Sequence, residues 1–442
     1  MFNELHNQFE NKSSNLYLLQ EKEGFSKYIL ISSLDIPSLK AIINDKTNAE
    51  TTLSKYEELY EKLFNIDISI DELISYINSF YPDIRDKRIE EESHLSSIIQ
   101  NFGTVKCGIR NDNMNDVAKA LVRDKSIESK AILDNKIDEL LNGTIKGYIY
   151  WQYYNQVTND LIEHLFNNNV NVIPTLRKIH DVDFFIKIED KVVPFDLKIT
   201  HISNDFFGLY SKGLEKKANC DNNYKIEEND DFGIKKNGLN ETEIIKELYL
   251  EIKQRFELPS LSKKSDLISK LFELSGNDYT LENLTELKKI YLQYKEEKRF
   301  PTFKELENDN DKIINLCKEY DEELTNNIIT GILNKRRECL EELNSDRKSL
   351  EWWNYKFQGE RLFKNNNRFF IFLAYNDSFE DARPLKGDIE NLKEIVNLKL
   401  NSITSLDDLN QINYYYTKER TLKGEYKIIS TSVIYTKNLN IP

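Results

Sequence analysis

The sequence predicts a mixed α/β chain: a β-sheet core flanked by helices, a helical N-terminal region and a large, mainly helical insertion. Three observations predict it. Asp181 to Thr200 alternates like two short strands around a tight turn at Glu189-Asp190-Lys191. Arg368 to Ala374 (Arg-Phe-Phe-Ile-Phe-Leu-Ala) is a continuous apolar run, as in a strand buried on both faces. The stretches before residue 147 and between 204 and 364 instead repeat apolar residues at helical spacing.

In chain order, Leu53, Tyr56, Leu59, Tyr60, Leu63 and Phe64 form one amphipathic stripe. Asp71 is placed to cap the next helix, with Leu73, Ile74 and Ile77, and Pro82 is expected to stop it. Asp116 to Leu141 reads as helix interrupted near Asp124, and Gly143 and Gly147 mark a joint. Trp151 to Asn167 is a helix, and Val170 to Leu176 a short strand broken at Pro174. The hairpin follows. The insertion opens near Asn204, holds a polar loop at Asn219 to Asn240, and continues as helices over 241–257, 261–275, 281–298, 302–319 and 321–356. Trp352 and Trp353, with Tyr355 and Phe357, read as aromatics anchoring the insert on the sheet rather than as base-stacking groups. After the Arg368 strand come a loop from Asp377 to Asp388, a helix from Lys386 to Leu400 and a last strand from Glu425 to Tyr435. In that loop Arg383 and Lys386 are candidates for phosphate contacts, against the plainer reading of a surface turn set by Pro384 and Gly387. The resulting division is a helical region at 1–147, a core at 148–203 and 365–442, and the insertion at 204–364.

Composition narrows the function classes. A chain of 442 residues accommodates two or three domains, and 39% hydrophobic residues supply a core. No apolar run reaches the roughly 18 residues a membrane span needs, so no membrane partner is expected. The N-terminus lacks a basic stretch followed by an apolar one. Cys107, Cys220, Cys317 and Cys339 are scattered, form no CxxC pair and point to a reducing cytoplasm. No phosphate-cradling Gly-rich loop, dinucleotide fingerprint or HExxH pair is present. The net charge of −14 makes any nucleic-acid contact depend on local basic patches. The clusters Lys335-Arg336-Arg337, Lys295 to Arg299 and Lys216-Lys217 read as solvated helix faces.

The chemistry lies in the hairpin. Asp196 and Lys198 are two residues apart on one strand and share a face, while Phe195, Leu197 and Ile199 take the other. Asp183 opens the preceding strand. Charged groups inside Val-Val-Pro-Phe-Asp-Leu-Lys-Ile are rarely buried without a partner or a metal. Two carboxylates and an ammonium make a site for a divalent cation and a phosphate. The plain alternative is a solvated hairpin.

This pattern resembles the active site of the PD-(D/E)XK nuclease superfamily, the restriction-endonuclease-like fold. Asp183 matches the first acid and Asp196-Leu197-Lys198 the (D/E)-x-K triplet; Val182 stands where the family often has proline. Asp181 competes for the first position, but Asp183 abuts the apolar run. The sharp motifs span about twenty residues of the chain. The resemblance implies Mg²⁺, with Mn²⁺ able to substitute, held by Asp183, Asp196, the Leu197 carbonyl and a helix glutamate. Glu163 matches that glutamate by position, with Asn159 as fallback. Lys198 would orient or deprotonate the attacking water, or stabilise the pentavalent state. The implied function is endonucleolytic hydrolysis of DNA leaving a 5′-phosphate, in restriction or anti-phage defence, by a homodimer. The alternatives are an RNase or partner-activated abortive-infection effector, and a catalytically silent nucleic-acid-binding module. Alanine at Asp183, Asp196 or Lys198 is expected to abolish cleavage and leave the melt near wild type.

Overall fold

Six strands form one mixed sheet in the computed structural model, which describes residues 1–11, 16–100, 126–127, 129–179, 182–210, 230–232, 241–256, 285, 301, 306, 309–357, 366–416 and 423–439. They are β1 Val172–Ile179, β2 Val182–Ile188, β3 Lys191–His201, β4 Arg368–Tyr375, β5 Asn410–Tyr416 and β6 Gly424–Lys437, in the order β1-β2-β3-β4-β6-β5. The first three pair antiparallel, β3-β4-β6 run parallel, and β5 returns antiparallel to β6. The hairpin turn falls where expected, with Glu189 in the left-handed region at φ 54°.

Pro174 does not break β1. The strand runs on to Ile179 with a register shift after Pro174, and β1 lies at the sheet edge, where a missing N–H is tolerated. Strand β5 was not anticipated. Its Asn-Gln-Ile-Asn-Tyr-Tyr-Tyr sequence looks polar, yet Ile412, Tyr414 and Tyr416 alternate inward and are buried.

Among the described residues the N-terminal helices are α1 Phe2–Glu10, α2 Leu16–Gln20, α3 Phe25–Ser32, α4 Ile36–Thr47, α5 Tyr56–Asn65 and α6 Ile70–Gln100. Ser69, not Asp71, caps α6: its hydroxyl accepts the Glu72 N–H while the Glu72 carboxylate accepts the Ser69 N–H. Pro82 does not stop this helix. Tyr81 is buried in the N-terminal core and Ile99 in the core under the sheet, so packing at both ends outweighs a cost of about 3 kcal/mol for an interior proline. Gly143 and Gly147 mark no joint either. Helix α7 Lys130–Glu139 passes through a π-helical turn, Leu140–Ile145, straight into α8 Lys146–Asn167.

One face of the sheet is covered by α8 and, in the C-terminal part, a helix at Ile389–Ser402. Leu161, Phe166, Leu392 and Val396 there meet Phe184, Phe195, Phe369 and Ile371. The N-terminal helices cover Ile173, Phe185 and Val192, so they share a core with the hairpin. The insertion supplies α9 Asn204–Tyr210, α10 Glu241–Phe256, α11 Asn310–Tyr320, α12 Glu322–Ser345 and α13 Lys348–Phe357; Ile389–Ser402 is then α14. Helices α9, α12 and α13 pack on Phe370 and Phe372 of β4. Trp352 and Trp353 are buried in this layer, as their sequence context predicts, and the Trp352 indole donates to Asp230 at 3.0 Å. Asp230-Asp231-Phe232 runs along the edge of β5, where Asp231 N–H donates to the Asn413 carbonyl at 3.0 Å and protects the edge from another chain. Arg336 departs from the solvated face expected for its cluster: it is buried over the Phe207 ring and donates to Asn204 at 3.1 Å.

The C-terminal helix begins at Ile389, three residues later than expected, because a 3₁₀ turn at Arg383–Gly387 precedes it. His180, Asp181, Cys107, Cys220, the clusters at 216–217 and 295–299, and the helices expected at 261–275 and, apart from Thr285, at 281–298 lie outside the described residues.

Candidate active site

The β2-β3 ladder runs from Ile188↔Lys191 to Phe184↔Phe195. Beyond it β3 continues to His201 with β4 on one side only. The first N–H past the ladder on the open side is that of Leu197, and the Asp183 carboxylate accepts it at 2.7 Å. Asp183 therefore replaces a backbone carbonyl where β2 leaves β3. Along β3 the hydrogen-bonding groups alternate sides: Asp196 N–H turns to the Asn367 carbonyl at 3.0 Å, and Leu197 N–H to Asp183. A strand residue directs its N–H and C=O to the same side. The Leu197 carbonyl thus faces the same open edge as the Asp183 carboxylate.

Asp196 stands opposite Arg368 in the β3-β4 register, and Arg368 Nε donates to its carboxylate at 2.9 Å. Arg368 is 1% exposed and lies over the Tyr355 ring, with its guanidinium carbon 5.1 Å from the centroid. A buried guanidinium requires such a partner. Lys198, two residues along, is half-buried. Burial lowers its ammonium pKa most; Arg368 lowers it further, Asp196 opposes, and Arg383 adds to the lowering.

Asn367 holds this geometry. Its carbonyl accepts Asp196 N–H, its amide donates to the Pro194 carbonyl at 3.1 Å, and its side-chain oxygen accepts Ile429 N–H at 3.0 Å. One buried side chain thereby ties β3 to β6 across the start of β4.

The open edge of β3 is bordered by the turn at Arg383–Gly387, which packs on β3, β4 and α8. Lys386 is buried and donates to Asn155 at 2.7 Å and Asn159 at 2.8 Å. It is therefore an anchor, not the phosphate contact its loop position offered. Tyr154 hydroxyl donates to the Pro384 carbonyl at 2.6 Å. Asp381 accepts both the backbone N–H and the Nε of Arg383 at 2.9 Å and lies 3.9 Å from His201 Nε2. Burial pushes the Asp381 carboxyl up, but His201 and Arg383 together hold it below its ordinary value.

Glu163 does not join the two aspartates: among the described residues no three His, Cys, Asp or Glu side chains gather into a group able to hold a metal. It lies near the carboxyl end of α8, where its charge adds to the burial that raises Tyr81. The α8 residues that face the site border are Asn155 and Asn159, so the fallback position is the nearer one. The remaining donors still suit Mg²⁺, a hard cation that keeps several waters and binds through one or two carboxylates.

Sequence reasoning missed Arg368, Asn367 and Asp381. Arg368 left a trace, as the one charged residue opening an apolar run, but its partner lies 172 positions away. A cavity of about 470 Å³ opens at the carboxyl ends of β4 and β6, lined by Arg337, Asn344, Asn376 and Asn438 among others, and includes none of the predicted site residues. Among the described residues no helix is long and apolar enough to cross a membrane. No family model, curated protein or solved structure matches the chain.

Proposed function

We propose that the chain is a metal-dependent endonuclease that hydrolyses phosphodiester bonds in DNA. The observation that carries this reading is the Asp183–Leu197 hydrogen bond at 2.7 Å. It draws one carboxylate onto the strand that carries the second carboxylate, a carbonyl aimed at the same edge, and Lys198.

Asp183, Asp196 and the Leu197 carbonyl would hold Mg²⁺, which when bound acidifies a water and offsets charge on the phosphate. Lys198 would orient that water or take its proton. Burial lowers the Lys198 ammonium pKa, which favours a role as proton acceptor through Nζ. Arg368 pairs with the Asp196 carboxylate and fixes its orientation. Packing of Phe195, Leu197 and Ile199 against the core closes one face of β3, and its free edge is where a phosphodiester would approach.

The test is cleavage of plasmid, single-stranded DNA and RNA with Mg²⁺, Mn²⁺ or EDTA, wild type beside Lys198→Ala. Discrete DNA products lost in EDTA and in the variant are expected. Preferential RNA loss would move the reading to an RNase or effector. Cleavage by Lys198→Ala at the wild-type rate would sink the site. The Asp196–Arg368 ion pair favours one further reading, a silent binding module in which Asp196 serves only to neutralise Arg368; DNA binding without metal-dependent cleavage would select it.

A further inference from the structure

We propose that Arg383 is a second catalytic cation of this site, its guanidinium contacting a non-bridging oxygen of the scissile phosphate; this rests on the nuclease reading above. The turn that carries it is held to α8 at three places. Lys386 binds Asn155 and Asn159, Tyr154 hydroxyl holds the Pro384 carbonyl, and Gly387 lies so close to that hydroxyl that a Cβ would come within 2.2 Å of it. Such attachment fixes a side chain well enough for transition-state binding.

The two basic residues of the turn have different surroundings. Lys386 is 3% exposed and occupied as an anchor. Arg383 keeps 23% of its side-chain surface exposed. Its guanidinium lies over the Trp151 ring at 5.0 Å and is gripped by Asp381, so it is oriented before any ligand arrives. The turn that carries it packs on β3, which places it at the border of the open edge.

Charge balance adds a second argument. Arg368 and Arg383 are each paired with a carboxylate, Asp196 and Asp381, so these pairs are neutral as they stand. A divalent cation on Asp183 and Asp196 would add two positive charges beside them, and a phosphodiester is the anion such an excess attracts. The turn supplies a planar, bidentate donor matched to phosphate oxygens. Asp381 acts as a positioning residue, holding the guanidinium by two oxygens and sharing its charge with His201.

The experiment measures cleavage and equilibrium binding of a defined DNA duplex. Binding is followed in Ca²⁺ over a salt series, for wild type, Arg383→Ala, Arg383→Lys and Lys198→Ala. Removing one phosphate contact should lower the slope of log K against log salt by about 0.9 in Arg383→Ala. Cleavage should fall on the order of 10²-fold or more. Arg383→Lys should restore the slope and only part of the rate. An unchanged slope and rate in Arg383→Ala, with Lys198→Ala inactive, overturns this inference and leaves the nuclease reading intact. A loss of thermal stability in Arg383→Ala with wild-type slope assigns Arg383 to a structural clip and also overturns it. Wild-type cleavage by Lys198→Ala, or no DNA binding by wild type, overturns both.

Discussion

At the scale of single residues, the three motif positions differ in what else they do. Lys198→Ala removes an ammonium whose burial is itself unfavourable, so cleavage should vanish while the melting temperature holds or rises. Asp196→Ala also strips Arg368, which is 1% exposed, of a carboxylate partner. That exposes the molecule to a loss of about 1–3 kcal/mol, so the expectation of an unchanged melt does not carry over to Asp196. Asp196→Asn keeps an acceptor for Arg368 and is the cleaner variant: its activity should be absent and its urea midpoint near wild type.

The lowered Lys198 pKa has two signed consequences. The folded state releases this proton more readily than the unfolded chain, whose lysine stays near 10.5. Stability therefore rises as pH climbs from the lowered folded value toward 10.5, and Lys198→Met should remove that rise. Cleavage should likewise increase with pH and level off below the ordinary lysine range. A rate–pH profile that is flat across the alkaline range would deny Lys198 the role of base.

At the scale of elements, the turn at Arg383–Gly387 works through contacts with α8. Gly387→Ala drives a methyl toward Tyr154 hydroxyl, which is already held by Pro384. Loss of that bond should cost about 1–3 kcal/mol and loosen the turn, lowering cleavage with it. Pairing Gly387→Ala with Tyr154→Phe tests the mechanism. The double variant should be less destabilised than the sum of the single changes, because the colliding oxygen is gone. Simple additivity in urea unfolding would place the strain elsewhere.

For the whole molecule, the prediction is linkage between metal and stability. If Asp183 and Asp196 hold Mg²⁺ in the fold and not in the unfolded chain, Mg²⁺ at about a hundred times its dissociation constant adds about 2.7 kcal/mol. Asp183→Asn retains an oxygen for Leu197 N–H but loses the charge, so its melting temperature should not respond to Mg²⁺. An equal upward shift in wild type and Asp183→Asn would refer the metal effect to another part of the acidic surface. The net charge of −14 also makes DNA binding without a divalent cation weak and steeply salt-dependent.

The hairpin, its turn, the buried strand after the insertion and the face shared by Asp196 and Lys198 are all legible in the sequence. Those features follow from local rules: alternation along a strand, turn chemistry, and the apolar run of a doubly covered strand. Spacing alone does not place Pro82 inside a helix, because packing at both ends of α6 overrides propensity there, and it does not show that Gly143 lies within a continuous helix. Nor could it find β5, whose tyrosines look polar until a partner strand and α13 cover them. Tertiary structure alone decided that Glu163 stands apart from the aspartates, that Lys386 is an anchor, and that Arg368 neutralises Asp196. Each of these pairs residues far apart in the chain, and electrostatic and hydrogen-bond partners at that separation are set by how layers stack, not by spacing.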